Sequence, residues 1–141
     1  MQNKTNQQIE LLQTKHPHVF NVKLNLAHQS RFIGRIDTSG EGTFVTQRTE
    51  KHLFRKSNSL GLSYSLLSDE NIKFKWIVIS LNGQNFISTR NYFLKNGKAY
   101  QFSNKGFELQ IFVTLDELNL KTAEQFENSI GHQEDFFNEV A

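Results

Sequence analysis

The densest chemical potential in the chain lies in Arg48-Thr49-Glu50-Lys51-His52-Leu53-Phe54-Arg55-Lys56, with four cations and a histidine beside one aromatic ring. If Thr49 to Phe54 is extended, Lys51 and Leu53 point one way and His52 and Phe54 the other. Arg48, His52, Arg55 and Lys56 then rim a sheet face together with Arg31, Arg35, Lys73 and Lys75, and Arg90 extends the set. No acid occurs between Glu70 and Glu108. Clustered cations suit phosphate, because each neutralised phosphate releases counterions. Exposed rings beside them would stack bases, at about 1–3 kcal/mol each. Phe54, Tyr64, Tyr92 and Tyr100 are the candidate platforms. The leading expectation is therefore a non-catalytic module that binds single-stranded nucleic acid or RNA through a basic sheet face. In the plainer alternative these rings are core and the cations keep the sheet soluble.

Acid–base chemistry is a narrower option. A small metal-independent nuclease would use His52 to move the 2′-hydroxyl proton, with Lys56 or Arg55 meeting the developing phosphate charge. Histidines 16, 18, 28, 52 and 132 lack HxxxH or HExxH spacing, so no metal site is expected. Leu60-Gly61-Leu62-Ser63-Tyr64 lacks the second glycine of a GxSxG elbow. The glycines form neither a phosphate loop nor a dinucleotide fingerprint, and no cofactor is expected.

The net charge of +2 conceals a segregation. His18 to Leu115 carries 13 Lys/Arg against 6 Asp/Glu, net +7, whereas Asp116 to Ala141 carries 1 Lys against 7 acids, net −6. The acidic end contains Glu134-Asp135-Phe136-Phe137. Phe136 and Phe137 could anchor in a partner's pocket while the acids meet basic residues, which makes a protein-interaction or accessory subunit the second expectation. A basic β-rich body with an acidic, aromatic tail is similar in outline to single-stranded DNA-binding proteins. That likeness is architectural and includes no shared motif.

These residues need a scaffold, and the scaffold is organised around Ile72 to Ile87. Asn82-Gly83 between two strand-like segments signals a type I′ hairpin that pairs Leu81 with Gln84, Ile79 with Phe86 and Ile77 with Ser88. Apolar residues on both faces from Trp76 to Ile79 place this strand inside the sheet. Further strands are expected over 18–26, 30–37, 43–48, 98–103 and 107–115, the last with Phe107, Leu109, Ile111 and Val113 as its buried row. A helix is expected over Asn6–Lys15, stopped by Pro17, and 62–67 is read as a strand or a short helix, with the helix favoured. Thr89 to Gly97 is read as a helix or as half of a second hairpin, and Thr122–Ile130 as a helix capped by Thr122.

The resulting expectation is one α+β domain over 1–141, mainly an antiparallel sheet or partly open β-barrel of six to eight strands with a short helix near each terminus. It divides into an N-terminal helical segment (1–17), a basic β-rich body (18–115) and an acidic C-terminal helix or tail (116–141). Thirteen phenylalanines supply an aromatic core, and the absence of cysteine excludes disulfides. Without an apolar run of about 18 residues or a signal-like N-terminus, no membrane partner and a cytoplasmic location are expected.

Overall fold

The computed structural model describes residues 8–103 and 108–128. Its fold is α+β: a six-stranded, mostly antiparallel sheet, a three-stranded sheet and three α-helices, not closed into a barrel. The larger sheet runs in the order β1 (Gln8–Gln13), β2 (Val19–Asn25), β3 (Ser30–Asp37), β4 (Thr43–Arg48), β6 (Trp76–Leu81), β7 (Gln84–Thr89). The smaller has β9 (Glu108–Thr114) between β5 (Ser59–Ser63) and β8 (Lys98–Phe102).

The central hairpin forms as its residues dictate. Leu81 pairs with Gln84, Ile79 with Phe86 and Ile77 with Ser88, with Asn82 (φ 50°) and Gly83 (φ 87°) supplying the positive dihedrals of the turn. β6 lies inside the sheet, and Ile77, Val78 and Ile79 are buried on both of its faces. Its other neighbour, β4, runs parallel to it. A parallel pair needs a long crossover. Residues 49–75 provide one that contains β5 and α1 (Tyr64–Ser68).

Two expectations are corrected, and one open reading resolves into both of its alternatives. Asn6–Lys15 contributes a strand where a helix is expected. Ile9 and Leu11, two apart, pair with Leu24 and Val22 of β2, so period-two alternation and a partner outweigh a marginal helical pattern. Residues 62–67 change from strand to helix at Ser63, whose hydroxyl accepts from the Leu66 N–H. The C-terminal helix α3 (Leu115–Asn128) starts seven residues before the expected cap. Its start is a reciprocal pair: the Glu117 N–H donates to Thr114 Oγ1 (3.1 Å) and the Thr114 N–H to Glu117 Oε1 (3.1 Å). Thr122 faces inward instead, where its Oγ1 accepts from the Ile87 N–H (2.9 Å) on the outer margin of β7.

Thr89 caps α2 (Arg90–Asn96) as its type suggests, accepting from the Tyr92 N–H. Gly97 ends that helix in an ordinary conformation; it is needed because a Cβ there would run into the Ile111 side chain and the Phe93 carbonyl. In β9, Ile111 and Val113 are buried as expected, Leu109 is only half-buried, and Phe107 lies outside the described residues. One apolar core joins the two sheets and the helices. Its fully buried members include Leu24, Ile36 and Phe44 of the larger sheet, Leu60 and Leu62 of the smaller, and Phe93 and Leu118 of the helices. Among the described residues no helix is long and apolar enough to cross a membrane.

Candidate functional site: a cationic cleft where the large sheet splits

The site begins with a defect in β3. Val22 pairs with Gly34 and Lys23 with Phe32, leaving Ile33 as an extra residue. Such a bulge bends a strand and re-aims its side chains. Ile33 and Ile36, three apart, are consequently both buried. Gly34 also lets β4 come close, since a Cβ there would lie 2.6 Å from both the Phe44 ring and the Val45 carbonyl oxygen.

Past this point the two strands separate. β3 pairs with β4 only from Arg35↔Val45 to Asp37↔Thr43, while β4 continues alongside β6 as far as Arg48. The Thr46 hydroxyl stands in for the lost ladder bond by donating to the Ile33 carbonyl (2.8 Å). The gap opens into a cleft of about 1230 Å³ between the split sheet and β5, β8 and β9. That exceeds the roughly 300–1,000 Å³ that holds a drug-sized ligand.

Four cations line the cleft, Arg31, Arg35, Arg48 and Lys51, against two carboxylates, Asp37 and Glu108, giving net +2 with the histidines neutral. Arg31 reaches Glu108 Oε2 at 2.5 Å, and Gln110 Nε2 donates to the same oxygen (2.7 Å). Glu108 is only 2% exposed, so it neutralises Arg31 from beneath while Arg31 itself stays open to the cleft.

Arg48 is less fully matched. Its Nη1 donates to Thr46 Oγ1 (2.7 Å) and the Gln47 carbonyl (3.2 Å). Its Nε and Nη2 have no protein partner among the described residues and are not sealed from solvent. Burial and the neighbouring Arg31 charge lower its pKa to about 10, only partly opposed by Glu108. It remains protonated at neutral pH, in a place that disfavours its charge.

Lys51 and His52 sit on a 3₁₀ turn, Glu50–His52, at the cleft's edge. The Thr49 N–H donates to His52 Nδ1 (2.9 Å), so in the neutral ring the proton belongs on Nε2. Partial burial, then Arg48, lowers the His52 pKa. With Nδ1 occupied and Nε2 protonated, the neutral imidazole lacks a free lone pair for a general base. It can instead donate a hydrogen bond to an anion, which weighs against the nuclease reading.

The aromatic wall is Phe32, Phe54, Phe102 and Phe112. Phe54 meets Phe112 edge-on at 5.4 Å and Tyr100 at 5.3 Å, and Tyr100 meets Phe102 at 4.8 Å. Phe32 is 61% exposed, the most open of them, with Lys23 Nζ 5.9 Å from its ring centre.

Of the cations singled out from sequence, Arg31, Arg35, Arg48, Lys51 and His52 therefore meet at one cleft, and five others lie elsewhere. Arg55 and Lys56 are exposed in the turn before β5, and Lys73 is exposed ahead of β6. Lys75 pairs with Glu41 (3.2 Å) and lies 5.0 Å from the Trp76 ring. Arg90 is an internal clamp. Its guanidinium donates to the carbonyls of Leu67 (2.8 Å), Ile72 (2.6 Å) and Asp69 (2.5 Å) and stacks on Phe74 at 4.3 Å.

Among the aromatic platforms, Phe54 lines the cleft, while the Tyr92 hydroxyl donates to Glu117 (2.9 Å) away from it. Sequence reasoning missed Phe32, although it directly follows Arg31. It also missed Glu108 and Gln110, which show only as polar residues within a strand. Phe136, Phe137 and the rest of 129–141 lie outside the described residues, as do the first seven. No group of three His, Asp or Glu suited to a metal occurs among the described residues. Set against family models, curated protein sequences and solved structures, the chain matches none.

Proposed function

We propose that this protein is a non-catalytic binding module for single-stranded nucleic acid, held in the cleft between the split sheet and β5, β8 and β9. The observation that carries this reading is Arg48, a largely enclosed guanidinium with its Nε and Nη2 edge unoccupied at the cleft. That edge is the one a phosphate engages through two parallel hydrogen bonds. Arg31, Arg35 and Lys51 add charge beside it, and exposed Phe32 offers a stacking face within the same cleft. Phosphates along a strand would meet the cations while an unpaired base meets the ring.

The test is fluorescence anisotropy of labelled oligo-dT and oligo-U across a salt series. The wild-type chain should bind with log K falling linearly against log salt. Arg48→Ala and Lys51→Ala should each weaken binding about tenfold and reduce the salt slope by about 1, whereas Arg55→Ala, outside the cleft, should change little. Absence of binding to both polymers at low salt overturns the reading.

A further inference from the structure

We infer that the cleft is built for the phosphorylated end of a strand, a phosphomonoester dianion seated between Arg48 and Arg31. This rests on the nucleic-acid reading above and narrows its ligand to a chain terminus. An internal phosphodiester carries one negative charge, whereas a terminal phosphate carries about −1.5 to −2 at neutral pH and presents three acceptor oxygens. The lining residues carry net +2, with Arg31 and Arg35 on β3, Arg48 on β4 and Lys51 on the 3₁₀ turn set against Asp37 and Glu108.

Donor geometry points the same way. Arg48 keeps Nε and Nη2 available, and Arg31, held from below by Glu108, presents the rest of its guanidinium to the cleft. His52 is a third donor, because Thr49 fixes its proton on Nε2. Three donor groups from three segments, β3, β4 and the 3₁₀ turn, match an end with three exposed oxygens better than a diester with two.

The experiment uses the full chain and one labelled single-stranded decamer in three forms: hydroxyl at both ends, 5′-phosphate, and 3′-phosphate. The label is internal. One phosphorylated form should bind at least tenfold more tightly than the hydroxyl form at fixed ionic strength, and the form that gains identifies the end. The advantage should shrink as pH falls below about 6, where the terminal phosphate takes up its second proton. Arg48→Lys, which keeps the charge but not the two-pronged donor edge, should weaken the phosphorylated form by a larger factor than the hydroxyl form and so cut the advantage several-fold. Glu108→Gln, which removes a negative charge beside Arg31, should strengthen the phosphorylated form more than the hydroxyl one, widening the gap.

Equal affinity of all three forms for the wild-type chain overturns this inference and leaves the broader reading intact. Failure of all three to bind retires both. The wild-type comparison needs no variant, so misfolding of a mutant cannot obscure the result.

Discussion

Arg90 and Arg48 occupy opposite situations within one small fold. Arg90 is surrounded by carbonyl oxygens from the end of α1 and the loop joining it to β6, and its flat side is covered by Phe74. Each of its three nitrogens has a carbonyl partner, and the residue acts as a clip that gives the 66–72 segment its course. Arg48 lies beside another arginine, gives one nitrogen to Thr46 and Gln47, and is left with its best edge empty. Both are arginines in basic surroundings along the chain. What separates structural from receptive arginine is donor satisfaction, and that depends on which backbone groups the topology brings near.

The contrast can be broken most decisively at the clip. Arg90→Ala should cost about 2–4 kcal/mol of stability, because partly buried carbonyls lose charge-assisted hydrogen bonds. Urea denaturation reads the loss, and oligonucleotide affinity of the molecules that remain folded should be unchanged. If affinity falls instead, Arg90 belongs with the receptive set. Next in size is Gly34→Ala, which forces a methyl group against the Phe44 ring and Val45 carbonyl. About 1–3 kcal/mol should be lost, and binding should weaken as well, because the closeness of β3 and β4 there fixes where the cleft opens. A loss of stability with full binding would detach the bulge from the site.

Arg48→Met sharpens the other half of the comparison. Removing a charge that its surroundings disfavour should raise stability by about 1 kcal/mol while strand binding drops about tenfold. A lower thermal midpoint would mean that Arg48 is structural after all. The smallest effect is at His52. Its folded pKa lies below the ordinary value near 6.5, so the unfolded chain takes up the proton first. The imidazole's contribution to stability is complete above about pH 6.5 and declines as pH falls from there toward the lowered folded value. His52→Gln should flatten that decline in pH-dependent melting curves, and a mutant slope identical to wild type would show that His52 does not titrate differently on folding.

The fold was readable wherever local chemistry and long-range pairing agree. Asn82-Gly83 fixes a register that needs no distant information, and the alternation in Val19–Asn25 and Ser30–Asp37 gives strands directly. β1 was hidden because Ile9, Leu11 and Leu12 satisfy a short helical pattern as well as an alternating one, and only the presence of β2 decides between them. The start of α3 was legible in retrospect from Thr114 and Glu117, but Thr122 offers the same residue type at a helical position and disguises it. For the cleft, the sequence indicates cations without indicating their sorting. Arg31 and Glu108 are 77 positions apart and meet only because β9 of the smaller sheet lines the cleft across from β3. Nothing near Arg90 in sequence reveals that three carbonyls will surround it.

The hydroxyl of Thr122 has one more effect. By taking up the Ile87 amide on the free flank of β7, it blocks the position where a foreign strand would register. Lateral growth of the six-stranded sheet is thereby confined to the β1 side.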